Sequence, residues 1–187
     1  MNFKLTPDHE AIIADVKAFA KKEIAPLAAE IDSESKFPAE IIKKMAELGY
    51  MGINIPEEYG GSGLDDVYKV LVVREIAKYC ASTAEILAVQ SLVNDIIIRK
   101  GTEEQKKKYL PMVNEGKLGA FALTEAGAGS DAGAVRTKAI SHGDNYIING
   151  SKCFISNMGP EEGDFVILIA LTDPSAGMKG MSAIIVD

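Results

Sequence analysis

Tryptophan is absent from the 187 residues, cysteine and histidine occur twice each, and aromatic residues make up only 6% of the chain. Cys80 and Cys153 lie far apart with no metal-like spacing, which excludes a disulfide framework and a zinc ribbon. Two such thiols suit a reducing compartment or serve as small core residues. His9 in a first helical turn and His142 in a hairpin loop read as solvated. The opening Met1-Asn-Phe-Lys-Leu-Thr-Pro7 has neither the apolar core of a signal peptide nor an arginine-rich transit character. The longest apolar run, Phe165 to Leu171, is far too short to span a bilayer. These absences point to a soluble cytoplasmic protein with no membrane span. A basic surface is also lacking: the net charge is −7 and the pI about 5.0, which argues against a nucleic-acid partner. Lys106-Lys-Lys108 follows Glu103 and Glu104, so charge pairs along a helix account for it. Internal repeats, low-complexity tracts and long linkers are all missing.

What is present is ordinary for a globular protein, with 47% hydrophobic and 25% charged residues, enough for one large or two small cores. Thr6-Pro7-Asp8 is a helix start, and Ile12, Val16, Phe19, Ala20 and Ile24 then recur on one face. Pro26 cannot donate to residue 22, so a disturbance is expected near Ile24, with helix continuing to about Asp32. Phe37-Pro38 opens a second helix through Ile41, Ile42, Met45 and Leu48, closed by Gly49. Asp65 or Asp66 caps a third, carrying Val67, Val70, Leu71 and Ile76. A fourth runs from Ser82 to Gly101, with Ile86, Leu87, Val89, Val93 and Ile97. Thr102-Glu-Glu-Gln starts a short fifth helix ending at Pro111.

The period then changes. Short alternating or apolar runs at 119–124, 134–140, 144–149, 152–156, 165–171 and 182–186 are separated by turns at His142-Gly-Asp, Asn149-Gly, Gly159-Pro, Asp173-Pro-Ser and Gly177-Met-Lys-Gly. Helices first and strands afterwards predict an α+β chain: an all-α domain over 1–117, then an antiparallel β-domain over 118–187. Six strands make an incomplete barrel, and a domain rarely ends flush with an apolar strand.

Two stretches carry the candidate chemistry. Phe121-Ala-Leu-Thr-Glu-Ala-Gly-Ala-Gly-Ser-Asp131 reads as a strand breaking into a loop of small residues, where Gly127 and Gly129 let a ligand approach the main chain. Bare N–H groups beside the Thr124 and Ser130 hydroxyls suit anionic oxygens. No convincing helix follows this loop, so it fails the context of a Rossmann fingerprint. Asn149-Gly-Ser-Lys-Cys-Phe-Ile-Ser-Asn157 reads as a hairpin signal. On a strand, Phe154 and Ser156 would share one face and Cys153 and Ile155 the other, a wall for a flat heteroaromatic ring.

In this order and spacing the two stretches resemble the flavin-contacting segments of acyl-CoA dehydrogenases. Pro56-Glu-Glu-Tyr-Gly-Gly61 and Gly101-Thr-Glu-Glu-Gln-Lys-Lys-Lys-Tyr-Leu-Pro111 extend the resemblance over the whole chain. The resemblance implies FAD as cofactor. Thr124 and the main chain of Phe121 and Leu123 would meet the ring edge, and Gly129 and Ser130 the pyrophosphate, with Ser130 also touching acyl-CoA. In the Phe154-Ile155-Ser156 segment, Phe154 would pack on the isoalloxazine and Ser156 would bond near N5. Gln90 and Asn94 fall in a segment that would limit the depth of the acyl-chain pocket. Phe154 replaces a common tryptophan, Ser156 a usual threonine and Ala126 a frequent proline; the Phe variant resembles the short-chain, butyryl-CoA-type branch.

The activity implied is α,β-desaturation of an acyl-CoA, or reduction of an enoyl-CoA, with an electron-transferring flavoprotein as redox partner and a homotetramer as assembly. The glutamate base of such enzymes lies in a C-terminal helical bundle absent here, so no catalytic residue is assigned and the chain reads as an inactive front portion. Glu125 is expected to tie the glycine loop and Asp131 to stabilise its turn. The rival readings are a non-catalytic flavin or acyl-CoA binding module and a nitroalkane-oxidase or flavin-monooxygenase-like relative.

Overall fold

The structure, a computed structural model, describes residues 4–159 and 163–187. The chain divides into two compact units, Met1–Leu118 and Gly119–Asp187.

The first unit is helical. Helix α1 (Pro7–Phe19) starts on a reciprocal cap: the Thr6 hydroxyl accepts from the His9 N–H, and His9 Nδ1 accepts from the Thr6 N–H. The chain then widens into a π-turn at Ala20–Ile24, where the Ala25 N–H reaches Ala20 O at 2.9 Å, and α2 (Ala28–Ser33) follows. The break expected ahead of Pro26 is there, because proline leaves the carbonyl of residue 22 without its helical donor. Helix α3 (Ala39–Glu47) buries Ile41, Ile42 and Met45. Gly49, at φ 78°, ends it, with the Tyr50 N–H returning to Met45 O and the Gly49 N–H to Ala46 O. Leu48, predicted on the inner face, is exposed.

Asp65 caps α4 (Asp66–Ala77) by accepting from the Val67 and Tyr68 N–H groups. Leu71, Val72 and Ile76 are buried towards α1 and α5 (Ala81–Lys100), whereas Val67 and Val70 face outward. Of the apolar residues read on this helix, Leu71 and Ile76 are thus buried and Val67 and Val70 exposed, since α4 is apolar on more than the side its neighbours cover. Among the described residues α5 is the one helix long and apolar enough to cross a membrane, and half of that stretch is buried within this unit. Its buried positions include Thr83, Gln90, Ser91 and Asn94. Helix α6 (Glu103–Asn114) opens with the predicted Thr102–Gln105 box but runs on through Pro111. Burial of Tyr109, Leu110 and Val113 on one face outweighs the single hydrogen bond that proline removes.

The second unit is an open five-stranded sheet: β1 (Gly119–Ala122), β2 (Lys138–His142), β3 (Asn145–Asn149), β4 (Phe165–Leu171) and β5 (Met181–Val186). Helices followed by an unclosed sheet agree with the fold class read from the sequence, with one refinement: the pairing is mixed. β2 and β3 form the expected hairpin over Gly143, and β4 pairs antiparallel with β5, but β1 runs parallel to β4, and Lys138 of β2 pairs in parallel with Leu171. Strand β4 supplies the centre, burying Phe165, Ile167 and Ala170 beside Ala120 and Ala122 of β1.

No strand forms at 152–156, and Asn149-Gly is not a hairpin turn. Phe154 and Asn157 adopt φ of 57° and 64°, incompatible with an extended run. The alternation of Phe154 and Ser156 against Cys153 and Ile155 is therefore lost. In the expected strand at 134–140, the chain instead makes a short 3-10 turn at Ala132–Ala134 before β2 begins. In the expected Gly159-Pro turn, Pro160 lies outside the described residues.

Candidate functional site

The loop leaving β1 closes on itself through two main-chain bonds, Glu125 N–H to Ala128 O at 3.2 Å and Ala128 N–H to Glu125 O at 3.0 Å. The Glu125 side chain, only 10% exposed, accepts four donors. The Arg136 N–H reaches Oε2 at 2.8 Å; on Oε1 the Thr137 N–H lies at 2.9 Å, the Thr137 hydroxyl at 2.6 Å and Lys152 Nζ at 2.9 Å. Burial would raise the carboxyl's pKa, but the Thr137 hydroxyl, the Arg136 amide, the Lys152 ammonium and the Thr137 amide outweigh it and hold it down at about 2. Glu125 is thus a tie that is charged at neutral pH, the structural part expected of it.

Lys152 completes the knot. Its side chain is 7% exposed, and Nζ also donates to Leu123 O at 2.8 Å. One residue on, the Cys153 N–H donates to Thr124 O at 3.0 Å. Asn157, buried in a left-handed conformation, donates from Nδ2 to Gly119 O at 3.3 Å. Gly150 lies so close to Thr137 that a Cβ there would collide with its side chain. The two stretches singled out in the sequence are therefore bound to one another at 123–125 and 152–153, through loops rather than a strand pair.

What they present outward is distinctive. Phe154 is 91% exposed, an aromatic ring on a left-handed backbone position held by neighbouring hydrogen bonds. Thr124, Ile155 and Ser156 beside it are half-buried, as are Phe121 and Leu123, while Gly129 and Ser130 are exposed. Among the described residues the main-chain N–H groups of Gly127, Gly129 and Ser130 meet no protein acceptor. Neither glycine has a left-handed φ, and a Cβ on either would meet no protein atom within 4 Å. Neither backbone geometry nor internal packing requires glycine at these two positions. Asp131 contributes its main-chain oxygen to the next turn, accepting from the Ala134 N–H; its side chain does not cap that turn.

Gln90 and Asn94 lie in the other unit, and both are fully buried. Gln90 Nε2 donates to Asn94 Oδ1 at 2.9 Å, and Asn94 Nδ2 to Met51 O at 3.0 Å and Asn54 Oδ1 at 3.2 Å. They fasten α5 to the connector after α3. A cavity of about 420 Å³ between α4 and α5 is lined instead by Val70, Val73, Ala88, Ser91 and Leu92, with Lys69, Arg74 and Asp95 around it. Gln90 and Asn94, read from the sequence as limiting an acyl-chain pocket, are thus buried with their amides bonded inside this unit.

The sequence reading gives no role to Lys152 or Thr137. The signal for Lys152 was its place between Gly150 and an apolar run, where a cation needs a buried partner; nothing local marks Thr137. Among the described residues no three His, Cys, Asp or Glu side chains group to hold a metal ion.

Comparison with known proteins gives a consistent result. The acyl-CoA dehydrogenase N-terminal domain matches residues 6–117, and the acyl-CoA dehydrogenase middle domain matches residues 120–187. Acryloyl-CoA reductase (NADH) of Anaerotignum propionicum is 50% identical over 190 residues, covering 100% of this chain and 48% of that protein. Butyryl-CoA dehydrogenase of Megasphaera elsdenii superposes with a TM-score of 0.92 at 40% identity, covering 100% of this chain and 50% of that one. A glutaryl-CoA dehydrogenase of Mycobacterium smegmatis in complex with FADH2 superposes with a TM-score of 0.88 at 30% identity, over 97% of this chain and 46% of that one. The chain spans about half the length of these relatives.

Proposed function

The chain belongs to the acyl-CoA dehydrogenase family, and on that premise we propose that its sheet unit carries part of an FAD site serving the oxidation of an acyl-CoA or the reduction of an enoyl-CoA. The observation that carries this reading is the open cradle at Gly127 and Gly129. Two glycines that the chain itself does not need stand beside three N–H groups that meet no acceptor among the described residues, which suits close approach of an anionic diphosphate to the main chain. The exposed Phe154 ring supplies an apolar face for a flavin, and the Thr124 and Ser156 hydroxyls supply donors at its edge. These residues fit the cofactor.

When bound, FAD supplies the hydride-transfer chemistry. The residues of this chain hold and orient it: Gly129 and Ser130 at the pyrophosphate, Thr124 with the main chain of Phe121 and Leu123 at the ring edge, and Phe154, Ile155 and Ser156 at the ring. Ser130 is the residue assigned to the acyl-CoA. No residue of the chain is assigned the catalytic base. The relative with the highest identity above is named for the reductive direction and the butyryl-CoA enzyme for the oxidative one, and both names fit a short acyl group. An electron-transferring flavoprotein as redox partner, a homotetramer as assembly and the cytoplasm as compartment belong to the same proposal; two free cysteines agree with a reducing environment.

The test is titration of the purified chain with FAD, followed by absorbance, alongside Gly129→Val. The added side chain meets no protein atom at its Cβ, so the melting temperature should stay close to wild type while FAD affinity falls at least about tenfold. Equal FAD affinity in the two proteins would remove the cradle from the site.

A further inference from the structure

We propose that Lys152 is a positioning residue of this flavin site: its buried ammonium clamps the two ligand-facing loops together and strengthens the Thr124 main-chain N–H as a donor. The identity of the acceptor rests on the FAD reading above; the clamp rests on contacts within the protein. Nζ lies 2.8 Å from Leu123 O and 2.9 Å from Glu125 Oε1. The Leu123 carbonyl and the Thr124 N–H belong to one peptide unit. A cation on that oxygen draws electron density from the amide, and hydrogen bonds in such a chain strengthen one another, more so away from water. Among the described residues the Thr124 N–H meets no protein acceptor, so the strengthened donor remains available for a ligand.

Glu125 makes the arrangement directional. Its charge is shared among the Arg136 and Thr137 amides and the Thr137 hydroxyl as well as Lys152. The ammonium is neutralised overall, yet still sits on the Leu123 carbonyl. A buried ion pair is a weak source of stability, because desolvation offsets the attraction and an apolar pair of similar size serves as well. Its use here agrees with a demand for fixed orientation. The clamp joins the residue before Thr124 to the segment that carries Phe154 and Ser156, and the Cys153 N–H to Thr124 O bond repeats the connection one residue further on.

The experiment compares wild type, Lys152→Gln and Lys152→Arg by amide NMR without ligand and by FAD titration, with thermal melts to confirm folding. Lys152→Gln should move the Thr124 amide proton upfield and weaken FAD binding about tenfold, the scale of one charge-assisted hydrogen bond. Lys152→Arg, which keeps the cation, should retain most of both. A folded Lys152→Gln protein with the wild-type Thr124 resonance and wild-type affinity overturns the proposal, as does a Lys152→Arg protein that loses both as fully as Lys152→Gln. Should wild type bind no FAD, the flavin reading falls, and the Thr124 resonance alone still decides whether the clamp polarises that amide.

Discussion

Glu125 shows how one side chain can hold a loop in place. Its carboxyl drops from an ordinary 4.5 to about 2 in the folded chain, so the stability it contributes is present above 4.5 and is lost as the pH falls from 4.5 towards 2. The shift corresponds to a contribution on the order of 3 kcal/mol. Other acids with lowered pKa, Glu75 and Glu103 among them, add their own acid sensitivity, so the informative quantity is a difference. Urea melts of wild type and Glu125→Gln at pH 7, 4 and 3 should show the gap between them narrowing as the pH falls, with wild type about 3 kcal/mol more stable at pH 7. A gap independent of pH contradicts the ionised tie.

Phe154 separates folding from binding at the same scale. A β-carbon in the left-handed region costs roughly 1 kcal/mol, and the ring is 91% exposed, so the chain gains little from it. Phe154→Gly should leave stability unchanged or raise it by about 1 kcal/mol while weakening FAD binding. A variant both less stable and equally able to bind FAD would make Phe154 a packing residue.

Among the elements, the helices were legible because their signals are local. Thr6, Asp65 and Thr102 cap within three residues, Gly49 supplies a positive φ, and Pro26 disturbs the turn before it. Where the reading departed from the structure, distant contacts decided. Pro111 stays inside α6 because the residues around it are buried. The 152–156 run alternates like a strand, but Lys152 is drawn to Leu123 and Glu125, and the chain turns left-handed at Phe154. The glycine loop was legible as an exposed turn of small residues and hydroxyls, because composition marks it without tertiary information. Gln90 and Asn94 were singled out by position, yet their partners lie on the connector at Met51 and Asn54, which helix periodicity does not reveal. Removing Asn94 deletes its bonds to Met51 O, the Asn54 amide oxygen and Gln90 Nε2 within a buried seam. Asn94→Ala should therefore cost about 2–4 kcal/mol in urea denaturation, with no change in FAD affinity measured on the same protein.

At the scale of the molecule, two compact units divide the labour. The helical unit is a core with a polar seam and an open groove beside α4 and α5; the sheet unit carries the loops proposed to hold FAD. The chain spans about half the length of these relatives, and the activity proposed is read from those longer proteins. The central claim concerns the loops alone, and amide hydrogen exchange with and without FAD tests it most directly. The account predicts slower exchange at Thr124, Gly127, Gly129 and Ser130 and through 153–156 on adding FAD, with α5 unchanged. Protection confined to other segments, or no protection at the glycine loop in a folded chain saturated with FAD, would contradict it.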